Sequence, residues 1–73
     1  MKNYKITFEA EGESIQLFLN DEYIKNVVAT SYGYALVNTE RCLNSLGKLT
    51  QIKENEYILK SKYSIEEIKE RLK

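Results

Sequence analysis

At 73 residues, with 42% hydrophobic and 30% charged content, the chain holds material for one small core, and a single domain is expected. Its 11 basic and 11 acidic residues cancel, which excludes a strong overall field for drawing the protein onto nucleic acid or lipid. With no histidine and one cysteine, Cys42, an internal disulfide is impossible, a structural zinc site lacks ligands, and the commonest catalytic base is missing.

From Tyr4 the pattern alternates: Tyr4, Ile6, Phe8 and Ala10 fall on one face, and Lys5, Thr7, Glu9 and Glu11 on the other. This is the period of a half-buried strand. Gly12 and its polar neighbours mark a turn, after which Ile15, Leu17 and Leu19 repeat the alternation, so the two strands are expected to pair as a hairpin. Asn20 and Asp21 tolerate the left-handed backbone of a tight reversal and lead into a third strand over Tyr23 to Thr30. That strand is apolar on both faces, which predicts a central position in the sheet. A helix over the same stretch is the competing reading, since Ile24, Val27 and Val28 also fit helical spacing. The β-branched residues and Gly33 favour the strand.

After Gly33, Tyr34 to Val37 reads as a short strand, followed by a short helix capped by Asn38 or Thr39 and ended by Gly47, with Cys42, Leu43 and Leu46 on one side. Leu49 to Lys53 and Glu56 to Lys60 form a further hairpin about a Glu54-Asn55 turn. The C-terminal helix carries the clearest local signal. Ser64 and Glu67 make a capping box, Tyr63 and Ile68 a hydrophobic staple, and Ile65, Ile68 and Leu72 one apolar stripe. The expected fold is therefore a single compact α+β domain over residues 1–73, an antiparallel β-meander with hairpins, a short middle helix and a C-terminal α-helix.

No uninterrupted apolar run exceeds the four residues Tyr34 to Val37, far short of the roughly 20 that span a bilayer, so no membrane span is expected. The lone cysteine and the lack of a signal-peptide pattern point to the cytoplasm. Cys42 reads as a small buried hydrophobe rather than a nucleophile. Glu9, Glu11 and Glu13, with Asp21 and Glu22, place five carboxylates near the turns of the first strands, but no calcium-loop motif accompanies them and a solvated strand face explains them better. No catalytic residue, metal or cofactor is expected.

Two features point to partners. Six of the eight aromatics are tyrosines, a residue type enriched where proteins meet. Tyr32 and Tyr34 flank Gly33 on an expected loop, and Phe18 points away from the alternation of its own strand; these three are the candidate contact residues. The second feature is charge. Met1 to Gly47 carries Lys2, Lys5, Lys25 and Arg41 against Glu9, Glu11, Glu13, Asp21, Glu22 and Glu40, whereas the remainder holds the basic surplus. Lys48, Lys53, Lys60, Lys62 and Lys69 on the second hairpin and last helix are the candidate contacts for nucleic acid, the alternative reading.

The expected function is a non-enzymatic protein-binding module acting by occupying a surface of a larger protein. Small regulators and inhibitors of phages and mobile elements share its size, its lack of catalytic residues and its AT-rich-codon bias towards Lys, Asn, Ile and Tyr. A homodimer is the expected assembly, because a core this small gains from reinforcement and neither a disulfide nor zinc supplies it.

Overall fold

The computed structural model describes residues 1–12, 14–28 and 31–72, with the backbone alone at Tyr32. The elements run β1 (Lys2–Glu11), β2 (Ser14–Leu19), β3 (Glu22–Val28), α1 (Tyr32–Asn44), β4 (Lys48–Lys53), β5 (Glu56–Ser61) and α2 (Ile65–Leu72). The five strands form one sheet in the order β3-β2-β1-β5-β4, with every neighbouring pair antiparallel. The α+β class and the three hairpins are as the sequence predicts.

The first three strands follow their local signals. Glu11 faces Ser14 across a turn in which Gly12 has φ +61°. Asn20 and Asp21 both have positive φ, at 51° and 69°, the signature of a two-residue type I′ hairpin loop. The Asn20 side chain also accepts a 2.9 Å hydrogen bond from the Lys5 amide, fixing the loop to β1. The Glu54-Asn55 turn forms as expected, with Asn55 at φ 60°, and its Asn55 carbonyl accepts from the Phe8 amide.

Two expectations change. β3 is an edge strand rather than a central one. Its two-sided apolarity has another origin: a register shift opposite Leu17 and Phe18 adds one residue to β3, so Ile24 and Val27 both pack against the core although they differ in parity. Tyr23 and Val28 remain outside, exposed. The expected strand at Tyr34 to Val37 is instead the beginning of α1. Ser31 is the N-cap, its hydroxyl accepting from the Tyr34 amide, and the buried positions Ala35, Thr39, Leu43 and Leu46 follow helical spacing. Gly33 sits in the first turn rather than ending a strand. Thr39 is interior, and its hydroxyl bonds back to the Ala35 carbonyl at 2.8 Å instead of capping. The middle helix therefore spans 13 residues.

The buried faces of both helices and one face of the sheet share a core. Ile6, Ile15, Leu17, Leu19, Ala35, Leu43, Leu59 and Ile68 are fully buried in it, and Tyr4, Phe8, Leu46, Tyr57 and Leu72 nearly so. Because β1, β3 and β4 run in the same direction, α1 crosses the sheet from one edge strand to the other, and α2 returns over the same face after β5. Among the described residues no helix lies on the other face of the sheet.

Ser64 caps α2 as predicted, with the Glu67 carboxylate meeting the Ser64 hydroxyl rather than its backbone amide. The Glu67 amide donates to Ser64 Oγ at 3.2 Å, the Ser64 hydroxyl donates to Glu67 Oε1 at 3.3 Å, and Tyr63 packs against the core. Ser61 ties this end of the molecule together. Its buried hydroxyl donates to the Leu46 carbonyl at 2.7 Å, at the end of α1, and accepts from the Tyr63 amide at 3.1 Å. Ser61→Ala leaves both groups without this partner, and a loss of about 1 to 3 kcal/mol is expected in urea unfolding. A loss below about 0.5 kcal/mol would show that water replaces the hydroxyl at little cost.

Candidate functional site

The uncovered sheet face is built from the outward residues of the alternation. In an antiparallel sheet with one solvated face these are normally polar. Here Thr7, Phe18 and Tyr23 lie in one row across β1, β2 and β3. The rings of Phe18 and Tyr23 meet edge to face with centroids 5.8 Å apart and an interplanar angle of 70°, a geometry aromatic pairs favour. Tyr23 is 50% exposed, and its hydroxyl donates to Asn26 Oδ1 at 2.9 Å. Val28, 77% exposed, stands further along the edge strand, while half-buried Ile58 faces outward opposite Lys5. The Lys5 ammonium is 3.0 Å from Asp21, whose hydrogen bond and charge hold the Lys5 amine above its ordinary pKa.

The three aromatic candidates separate. Phe18 belongs to the open sheet face, whereas Tyr34 lies in the first turn of α1, on the other side of the sheet, 64% exposed, with Val37 one turn on at 50%. Tyr32 and Tyr34 therefore do not flank a loop. The Tyr32 side chain lies outside the described residues. Of the other tyrosines, Tyr4 and Tyr57 are core residues: Tyr4 donates to the Tyr63 carbonyl at 2.7 Å and Tyr57 packs on Phe8 at 5.1 Å. Tyr63 is half-buried, with the Arg71 guanidinium 4.4 Å from its ring centre. Tyr23 was the residue to find. A two-residue loop at Asn20-Asp21 puts Leu19 opposite Glu22 and hence Phe18 opposite Tyr23, so the pair follows from turn length alone.

The lysines also separate. Lys48 and Lys60 are direct cross-strand partners on β4 and β5, and Lys62 follows just past the end of β5. Lys53 lies at the far end of β4, 3.8 Å from Glu56, and Lys69 on α2 pairs with Glu22 at 2.8 Å. Lys48, Lys60 and Lys62 line an open groove of about 500 Å³ together with Leu46, Gly47 and Tyr63, among others, and among the described residues no Asp or Glu contributes to it.

The carboxylates do not gather. Glu9 and Glu11 are exposed at the end of β1 next to Gly12, but Asp21 and Glu22 lie at the opposite end of β2, paired with Lys5 and Lys69. Glu13 lies outside the described residues. Among the described residues no group of three or more His, Cys, Asp or Glu side chains could hold a metal ion. Cys42 is half-buried and lines a small cleft of about 120 Å³ with Leu17, Val27 and Leu72, rimmed by Lys25 and Asn38. Among the described residues no helix is long and apolar enough to cross a membrane. Family models, curated proteins and solved structures were compared with the chain, and none of them matches it.

Proposed function

We propose that the protein is a non-enzymatic binding module that engages a protein partner through the open face of its sheet, centred on Phe18 and Tyr23. The observation that carries this reading is the aromatic pair itself, held in fixed register on a face that neither helix covers. Tyrosine and phenylalanine supply large contact area at small entropic cost, and residues of this kind dominate interface energetics. The sheet edges support a face rather than an edge as the docking surface. β3 turns a charged residue, Lys25, inward and carries a bulge, while β4 presents Lys48 and Lys53 and has its own irregularity between Gln51 and Lys53. Such devices oppose strand addition.

The partner is a larger protein whose surface the module occupies, in the manner of small regulators and inhibitors, with self-association into a homodimer as the other use of the same face. A nucleic-acid surface made of all five lysines has weaker support, since Lys53 and Lys69 are engaged by Glu56 and Glu22.

A photo-cross-linking amino acid in place of Tyr23 is expected to give one discrete adduct in cells that produce the protein, and the same group at Tyr34 none. The adduct mass separates a second copy from a different protein. With that partner purified, Tyr23→Asp should weaken binding by about 2 kcal/mol, roughly 30-fold. Adducts from Tyr34 alone, or unchanged affinity of the Tyr23 variant, would remove the open face from consideration.

A further inference from the structure

The groove at the end of β4 and β5 is a second surface, apart from the aromatic pair on β2 and β3. The register explains why charge collects there. β1 and β5 pair from Lys2 with Ser61 to Thr7 with Glu56, and Lys60 is flanked by Asn3 on one side and Lys48 on the other. The opposite end of β1 carries Glu9 and Glu11 against Gln16 and Ser14. A chain of zero net charge is thus polarised along its strands, basic at the β4/β5 end and acidic at the β1/β2 turn.

Basic residues near a helix C-terminus are often there to complement its carbonyls. At the end of α1 that need is met by other groups. The Arg41 and Cys42 carbonyls accept from the Ser45 amide, Cys42 also from the Ser45 hydroxyl, Leu43 from the Leu46 amide, and Leu46 from Ser61. Nor are these lysines held by carboxylates. Lys5, Lys53 and Lys69 have ion-pair partners, whereas among the described residues Lys48, Lys60 and Lys62 have none. Three lysines without a carboxylate partner therefore line one concavity, the Lys62 ammonium lying 5.7 Å from the Tyr63 ring centre, and among the described residues no Asp or Glu contributes to its wall.

We propose that this groove binds the phosphodiester backbone of single-stranded nucleic acid. A chain of phosphates can meet each of three cations spread over β4, β5 and the segment beyond it, which an isolated phosphate ion cannot do. The contact is to the backbone and independent of sequence, because Tyr63, the aromatic ring of the groove, already carries the Arg71 guanidinium on its face and is not free to stack a base. The inference stands apart from protein binding at Phe18 and Tyr23, and either can fail alone.

The test is fluorescence anisotropy with labelled oligothymidylate over a salt series. Three neutralised phosphates give an expected slope of log affinity against log salt of about −2. Lys48→Glu with Lys60→Glu is expected to weaken binding at least about tenfold at low salt, while Arg41→Glu with Lys53→Glu, an equal change of charge elsewhere, leaves it within about threefold. Circular dichroism melts confirm that both double variants fold. Inorganic phosphate at the same phosphate concentration is expected not to displace the strand. A duplex bound as tightly as the single strand keeps the phosphodiester assignment and moves its source to double-stranded nucleic acid. No binding at about 50 mM salt, equal losses in both double variants, or displacement by inorganic phosphate overturns the proposal.

Discussion

Replacing Gly47 by alanine is expected to lower stability by about 3 kcal/mol or more. The reason is a close approach of two backbones. A Cβ at Gly47 would fall on the Lys60 carbonyl oxygen and lie 3.0 Å from both the Lys60 carbonyl carbon and the Ser61 Cα. Backbone cannot rotate aside as a side chain does. Relief requires moving the start of β4 away from β5, which breaks the ladder that sets Lys48 opposite Lys60 and disturbs the Ser61 bridge to Leu46. A domain of this length has roughly 4 to 11 kcal/mol in total, so the variant is expected to melt at least ~12 °C lower. Gly33→Ala is the control. A Cβ there meets only Ser31 Oγ at 3.9 Å, an ordinary contact, and the change should be neutral or stabilising by up to about 1 kcal/mol. Equal melting temperatures for Gly47→Ala and the native protein would show that the close approach is absent in solution.

The role of Gly47 also marks where sequence reading reaches its limit. Its position after an apolar helical stretch suggests a left-handed C-cap, yet the cap is Ser45 in the right-handed region, and Gly47 is small for the sake of a strand 13 residues away. Signals confined to a few neighbours were legible: the Asn20-Asp21 reversal, the Glu54-Asn55 turn, and the Ser64 cap with its Glu67 partner. Those that depend on distant segments were not. β1 pairs with β5, placing Lys2 beside Ser61, and no local pattern announces that neighbour. The same dependence put β3 at an edge, where a bulge turns Ile24 to the core beside Val27 and leaves Tyr23 and Val28 exposed.

α1 was misread for a different reason. Tyr34 to Val37 is too short to show a period, and Gly33 looks like a breaker, although a glycine in a first turn interrupts little of the helix. The candidate site divides in the same way. Phe18 was visible because it violates the alternation of β2, but the polarity of the surface was not. A straight ladder from Lys53 opposite Glu56 would set Lys48 opposite Ser61; the irregularity between Gln51 and Lys53 shifts it by one residue and aligns the two lysines. A bulge leaves little trace in composition.

Ile68→Ala is the second substitution expected to have a large effect, a loss of about 2 to 5 kcal/mol. An isolated helix of eight residues has no stability of its own in water, so α2 exists because something holds it down. The candidates are the Ser64 cap, the Lys69–Glu22 ion pair at 2.8 Å, and the two buried side chains Ile68 and Leu72. Magnitudes decide among them. The ion pair is partly solvated, with the Glu22 and Lys69 side chains 59% and 28% exposed, and such pairs contribute under about 1 kcal/mol; a cap contributes typically about 1. Ile68, fully buried, is worth more than either. Losing it should free α2 from the sheet, so that its amides exchange with solvent faster than those of α1 and Tyr63 becomes accessible before the sheet unfolds. Lys69→Ala, by contrast, should cost less than about 1 kcal/mol and leave exchange in α2 slow. A larger loss from Lys69→Ala than from Ile68→Ala would mean that charge, not burial, attaches the last helix.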